Sequence, residues 1–396
     1  MNILQITSRI PFPLNDGGNI ATYNVTAFLN KFGHKVTMAA LNTSKHYQNP
    51  AVVANVAEVF ATDIDTTVTI AGLIKGFFGK LPYNVSRFWS TEFQEQLAQI
   101  LQQKNFDIIQ LEGVYMAIYL PVLRQYSKAK IVLRAHNVEH QIWQRLSENE
   151  PALHKRFYMR YLARKVKKFE EEYVCLFDGI IAITEADAAW FKKRCATTQT
   201  TSIAAGVHLA KPEQISLENL QPTVAILGSL EWAPNVQGLE WLLAYVWPKV
   251  LQKLPHAQLH VAGKNPPEEL LNRKLPNVTM HGMVPDATGF LLAHPVLAVP
   301  LHAGGGMRLK VVEAMALGRC IVSTRIGVEG VPVIHNEHAL LADSADDFAA
   351  ELVTALTNQN LQAAAGKNAY AMAGKLYGWE GLIRKFELFY KDLAGT

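Results

Sequence analysis

The chain has 396 residues, of which 49% are hydrophobic and 18% charged, with a formal net charge of +4. That length exceeds what one core usually serves and points to two domains of ordinary globular composition. So mild a charge excludes a nucleic-acid protein, whose basic residues would dominate.

The first segment, MNILQITSRIPFP, has no basic lead and its apolar run stops at Ser8 and Arg9. It is therefore not read as a signal peptide. No apolar run approaches membrane-spanning length. Cys175, Cys195 and Cys320 are odd in number and far apart, and they are read as reduced, buried thiols of a cytoplasmic protein. No Cys or His spacing suits a metal site, and no cofactor is expected.

Residues 2–7 form a short apolar strand, followed by a loop with Pro11, Pro13, Asp16, Gly17 and Gly18. Residues 20–32 read as an amphipathic helix ended by Gly33, and residues 36–41 as a second strand. This β–loop–α–β opening is a doubly wound unit. It lacks GxGxxG, which argues against a nicotinamide-dependent oxidoreductase. Taken alone, Asp16-Gly17-Gly18 is a plain turn.

Residues 74–89 mix aromatics with Lys75, Lys80 and Arg87. They read as an ordinary loop and helix start, with a surface for lipid head groups as the alternative. Strands follow at 106–111 and 131–134. The second runs into Ala135-His136-Asn137-Val138-Glu139, polar residues at the carboxyl end of a parallel strand, where open sheets bind ligands. His136 can donate to a ligand hydroxyl or stabilise developing charge, or it can cap the following helix. Residues 154–173 form a basic helix with Leu162, Val166, Phe169 and Tyr173 as its apolar stripe. A solvated face is the simpler account of its cations, and attraction to an anionic acceptor or bilayer the other. A strand at 180–184 and a helix at 185–194 close the first domain near Gly206.

Residues 210–221 are polar and read as a linker. The second domain opens with a strand at 223–227, a loop Gly228-Ser229-Leu230-Glu231-Trp232, and a helix from Pro234 to Leu254. Strands are expected at 256–263 and 278–281, the latter followed by Gly282-Met283-Val284, itself a simple turn. Helices are expected at 345–358, 361–377 and 379–393.

The most informative stretch is residues 299–324, VPLHAGGGMRLKVVEAMALGRCIVST. It reads as strand, glycine loop, helix over 307–317, C-terminal Gly318, and strand again. Gly304, Gly305 and Gly306 let backbone approach a ligand with no Cβ in the way. A glycine loop feeding a helix N-terminus offers free N–H groups and a positive dipole end. Arg308 and Lys310 gain nothing from that dipole, whereas a diphosphate on the loop would explain both. Glu313, one turn on, suits the two hydroxyls of a ribose. A Lys310–Glu313 surface pair beside a mere turn is the plainer alternative.

The run GGGMRLKVVEAMALG and the following IVSTRIGVEG resemble the donor-binding signature of family-4 (group 1) retaining glycosyltransferases. The resemblance implies the GT-B fold: α/β, two Rossmann-like doubly wound parallel-sheet domains facing a cleft. It implies residues 1–207, completed by the helix 379–396, as the acceptor side, and residues 208–378 as the nucleotide-sugar side. It also implies a metal-independent transfer, with retention of configuration, from a nucleotide-diphosphate sugar to a glycan or lipid-linked acceptor. By the same resemblance Glu313 binds the ribose, and Met307 and the three loop glycines border the donor. Gly228 and Ser229 lie by the diphosphate, and Gly282, Met283 and Val284 meet the base. His136 lies beside the sugar, with Glu139 a weaker candidate, and Asp16, Gly17 and Gly18 lie at the cleft. Residues 328–330 border the donor site. Many members carry a second glutamate where this chain has Gly305, and basic residues in the first loop of the donor domain where it has Ser229, Glu231 and Asn235. Arg308 and Lys310 are therefore expected to carry the charge. A nucleotide-sugar 2-epimerase of the same fold and a non-catalytic nucleotide-sugar-binding protein are the alternatives. Peripheral contact with the cytoplasmic face of the inner membrane is left open.

Overall fold

The computed structural model describes residues 1–14, 17–69, 72, 76, 79–150, 152–211, 215, 221–271, 273–303 and 307–395. The chain divides into two compact units, Met1–Ala205 with Leu382–Thr396, and Gly206–Gly381. The last helix, Trp379–Ala394, begins in the second unit and ends in the first.

The first unit is built on a seven-stranded parallel sheet. Its strands are β1 (Asn2–Thr7), β2 (Lys35–Thr43), β3 (Glu58–Ile64), β4 (Ile108–Glu112), β5 (Lys130–Ala135), β6 (Gly179–Ala182) and β7 (Gln199–Ser202). Their spatial order is β3-β2-β1-β4-β5-β6-β7. The central strands are apolar because helices cover both faces; all five residues of β4 are buried. The second unit holds six parallel strands: β8 (Thr223–Leu227), β9 (Gln258–Ala262), β10 (Val278–Gly282), β11 (Val296–Val299), β12 (Cys320–Ser323) and β13 (Leu340–Leu341). Their order is β10-β9-β8-β11-β12-β13. Each sheet reverses direction of winding once, at β1/β4 and at β8/β11. The crevice beyond the carboxyl ends of such a strand pair is where open α/β sheets take ligands.

The helices follow local rules. Ser90, Thr184 and Ser344 each accept a backbone N–H at the start of the helices Thr91–Gln103, Glu185–Arg194 and Ala345–Thr357. In Glu185–Arg194, Glu185 and Asp187 occupy the first turn and Lys192, Lys193 and Arg194 the last, matching the helix dipole.

Several expectations need correction. β3, β7 and β13 have no counterpart in the reading of the sequence. β3 mixes polar and apolar residues, β7 is wholly polar, and the two form the sheet's edges, where a strand need not be an apolar run; β13 is two residues long. Gly17 and Gly18 are not in a loop, because the helix Gly17–Lys31 starts with them. The helix expected over residues 307–317 is shorter, Leu309–Ala316, with Arg308 extended at its N-cap position and Gly318 left-handed (φ +65°) beyond its end. The helix expected from Pro234 to Leu254 is interrupted by a π-helical turn at Leu242–Val246. Cys175 and Cys195 are not free thiols. They are joined in a disulfide across the ends of the helices Leu153–Tyr173 and Glu185–Arg194, and Cys175 is exposed; only Cys320 is a buried free thiol. Gly304, Gly305, Gly306 and Asp16 lie outside the described residues, as does most of the linker. No helix among the described residues is long and apolar enough to cross a membrane.

Candidate active site

In the first unit the polar side chains gather at the carboxyl ends of β1, β4 and β5. Thr7, Glu112 and Arg134 are register partners across these strands. Glu112 is buried. Its Oε1 accepts from Gln5 Nε2 (2.7 Å) and Gln110 Nε2 (2.6 Å), and its Oε2 lies 2.8 Å from His136 Nε2 and 3.7 Å from Arg134 Nη1. Burial alone would raise this carboxyl, but Arg134, His136 and Gln5 outweigh it and hold the group at about 2. Arg134 is fully buried, with its guanidinium over the Phe386 ring, and it donates to Ala21 O at 3.2 Å. Its Nε and Nη2 find no hydrogen-bond partner among the described residues, so Glu112 supplies its only countercharge there.

His136 thus stands at the strand end with one face on Glu112 and 21% of its side chain exposed. The next residues start the helix Glu139–Asn149, whose first N–H groups, on Glu139 and His140, donate to the buried Glu170 at 2.8 and 3.0 Å. Burial drives the Glu139 carboxyl up to about 7, with Glu170 adding to the rise against hydrogen bonds from Tyr115 and Asn137. Tyr115 Oη in turn accepts from Asn84 (2.8 Å) and Trp143 (3.2 Å). Gly17 is exposed at the start of its helix.

In the second unit the strand ends β8 and β11 bring together Gly228, Asn235, Arg308 and Lys310. Lys310 Nζ donates to Asn235 Oδ1 at 2.9 Å, and Asn235 Nδ2 donates to Ser229 O at 2.7 Å. A Cβ on Gly228 would come within 2.9 Å of the Asn235 amide and 3.1 Å of Lys310 Nζ, so only glycine leaves that approach open. Burial, and then the charge of Arg308, lowers the Lys310 ammonium to about 8. Arg308 is buried, lies over the Trp232 ring at 5.4 Å and has Nη2 3.9 Å from Glu329 Oε2. Glu313 sits on the same helix and burial raises its carboxyl. It forms no ion pair with Lys310, and among the described residues it makes no hydrogen bond. The plain surface-pair account of these two residues is therefore wrong. Gly282 is left-handed (φ +65°) and Met283 is 67% exposed beside Val284. Met307 backs onto Gly330, whose missing Cβ would lie 3.2 Å from Met307 Cα.

Glu112, Arg134 and Asn235 were not singled out in the sequence. Glu112 carried a readable signal, a carboxylate ending an otherwise apolar strand with Gln110 two residues before it. Asn235 carried none, because its role depends on Lys310, 75 residues away.

The two units match known proteins. Residues 15–211 match the model of Glycosyltransferase Family 4, and residues 221–358 that of Glycosyl transferases group 1. An uncharacterized 44.6 kDa protein in the cps region of Klebsiella pneumoniae is 24% identical over 391 residues, covering 95% of this chain and 96% of that protein. HepE (Alr3699) of Anabaena, crystallised in complex with UDP, superposes with a TM-score of 0.68 at 14% identity, covering 99% of this chain and 100% of that one. Sucrose-phosphate synthase of Thermosynechococcus elongatus gives 0.69 at 18% identity, covering 99% of each chain. With both parallel-sheet units matched by family models and the whole chain matched by these folds, the protein has the GT-B fold and belongs to the family-4, group 1 glycosyltransferases.

Proposed function

We propose that this glycosyltransferase takes a nucleotide-diphosphate sugar and passes the sugar, with retention of configuration and without a bound metal, to a glycan or lipid-linked acceptor. The observation that carries the reading is the pair Arg308, buried, and Lys310, half-buried, before and within the first turn of the helix Leu309–Ala316. Lys310 faces a neutral amide and no carboxylate. Buried cations are normally paired, so Lys310, which meets no carboxylate among the described residues, fits an anionic ligand with Arg308 beside it. The leaving diphosphate builds charge in the transition state, and each such donor is worth about 3–4 kcal/mol there.

In this reading Glu313 takes the ribose hydroxyls, Gly228 and Ser229 admit the diphosphate, and the backbone of Gly282, Met283 and Val284 meets the base. The loop glycines 304–306 and Met307 border the donor. His136 contacts the sugar, and Asp16, Gly17 and Gly18 serve the acceptor side. Residues 1–207 with 379–396 and residues 208–378 are the two functional halves. Two likenesses support a nucleotide-sugar donor and a polysaccharide product: HepE, crystallised with UDP, with UDP and glucose, and with UDP-glucose, and the Klebsiella relative in a cps region. A thermal-shift screen of nucleoside diphosphates and nucleotide sugars identifies the donor, and the anomeric configuration of the product, read by NMR, tests retention. Sugar epimer released from donor alone would establish the 2-epimerase instead. Donor binding with no nucleoside diphosphate released would establish a non-catalytic binder.

Peripheral contact with an anionic membrane is part of the proposal. Leu153 (76%) and Phe157 (69%) are exposed on the helix Leu153–Tyr173, whose exposed cations include Lys155, Arg160 and Arg164. Flotation with anionic vesicles that is lost in Phe157→Glu would support it.

A further inference from the structure

We propose that Glu112 is a positioning residue that fixes His136 as the tautomer protonated on Nε2, leaving the Nδ1 lone pair to accept a hydrogen bond from a substrate hydroxyl. The inference rests on the placement of His136 at the sugar, but its own physical basis is the network behind Glu112.

Glu112 is unable to donate, because Arg134 and its other partners keep it ionised. At 2.8 Å from His136 Nε2 the proton of that contact must therefore come from the imidazole. In the neutral ring Nδ1 is then an acceptor, and it has no hydrogen-bond partner among the described residues. With this tautomer the ring receives a sugar hydroxyl rather than donating to it.

The network also dictates what a glutamine at position 112 would do. Oε1 of Glu112 faces two amide donors, Gln5 Nε2 and Gln110 Nε2. The Gln110 amide is held, because its oxygen accepts from the Tyr390 hydroxyl on the last helix; the Gln5 oxygen lies on Thr26 Oγ1, whose one proton is also within reach of Thr22 O. A glutamine at 112 that pointed its NH2 at them would set its donors against that of Gln110. It is expected to keep its oxygen there and turn its NH2 toward His136, the side that also holds the Thr22 hydroxyl at 3.4 Å and Arg134 Nη1 at 3.7 Å. That NH2 donates to Nε2 and drives the ring proton to Nδ1. Glu112→Gln, nearly unchanged in shape, thus reverses the imidazole, and the outward nitrogen changes from acceptor to donor.

The test is long-range 1H–15N correlation on histidine-15N-labelled full-length protein, with His136→Ala assigning the signals. For the neutral ring we expect Nδ1 in the pyridine-like range and Nε2 in the pyrrole-like range in wild type and in Glu112→Asp, and the reverse in Glu112→Gln. In donor kinetics Glu112→Gln should lower kcat on the order of 100-fold with the donor KM within about threefold. Glu112→Asp, which keeps the charge, should recover much of the loss. A wild-type ring protonated on Nδ1, or a ring unmoved by a folded Glu112→Gln, overturns the proposal. Should Glu112→Gln not fold, the wild-type tautomer alone decides. If instead the tautomers are as expected but His136→Ala turns over at the wild-type rate, it is the placement of His136 at the substrate that fails.

Discussion

The two strand-end sites of this chain are built on opposite electrostatic principles. In the first unit the carboxylate beside His136 is answered within the protein: Glu112 faces Arg134 and His136, and the Gln5 and Gln110 amides and the Thr22 hydroxyl fill the rest of its shell. In the second unit, among the described residues, Lys310 hydrogen-bonds only Asn235 and Glu313 has no partner, with the buried Arg308 beside them. The first is preorganised, with a fixed carboxylate aiming an imidazole. In the proposed reading, the second takes an anion and a diol as the partners that Lys310 and Glu313 lack among the described residues. A folded protein carries such groups where binding or catalysis repays the cost elsewhere.

The largest effect that would test this contrast is on turnover. Arg308→Ala and Lys310→Ala should each reduce kcat on the order of 10²–10³-fold in single-turnover assays, since each removes a donor aimed at developing charge. Near-wild-type rates would place the diphosphate elsewhere. Next comes stability in the first unit. Glu112→Ala leaves Arg134 buried with no countercharge among the described residues and should cost about 3–5 kcal/mol, seen as a lower Tm for that unit. The matching variant in the second unit, Lys310→Met, should leave Tm unchanged or raise it, because it removes a desolvated charge rather than its partner. A loss as large as that of Glu112→Ala would erase the distinction between the two sites.

Glu313→Ala should raise the donor KM by about 10–100-fold, the worth of hydrogen bonds to a charged group, with little change in Tm. An unchanged KM would remove the ribose from Glu313. The pH dependence follows from Lys310, whose value of about 8 lies below the ordinary 10.5. The anion prefers the protonated form, so nucleoside diphosphate affinity measured by calorimetry should fall as pH rises through about 8, and Lys310→Met should abolish that fall. The unfolded chain binds the proton more tightly, so between about 8 and 10.5 the wild type should gain stability relative to Lys310→Met as pH rises.

The smallest expected effect is at Glu139. Its folded value of about 7 exceeds the ordinary 4.5, so the folded state holds a proton that the unfolded state has lost. This contribution is fully present below about 4.5 and lost as pH rises through about 7, and Glu139→Gln should flatten that slope in denaturant titrations.

How much of this was legible beforehand depended on what each feature needs to be recognised. Arg308, Lys310 and Glu313 lie within six residues, on one helix start beside three glycines, so their chemistry shows in a single line of sequence. His136 showed for the same reason, as a polar residue ending an apolar strand. β3 and β7 did not, since a strand at or near a sheet edge needs no apolar signature. The disulfide did not either, because Cys175 and Cys195 are brought together by the packing of two helices around β6 and not by their spacing.

The sequence by itself determined the two βα-wound halves and the run of Arg308, Lys310 and Glu313 at the start of one helix, because these rest on local periodicity and on neighbours within one or two turns. Only the tertiary structure decided the partners. It set Glu112 between His136 and Arg134, aimed Lys310 at Asn235, and tied Gln110 to Tyr390 across 280 positions of chain. Hydrogen bonds and ion pairs act over a few ångströms, and which groups come that close is fixed by parallel register and helix packing, not by distance along the chain.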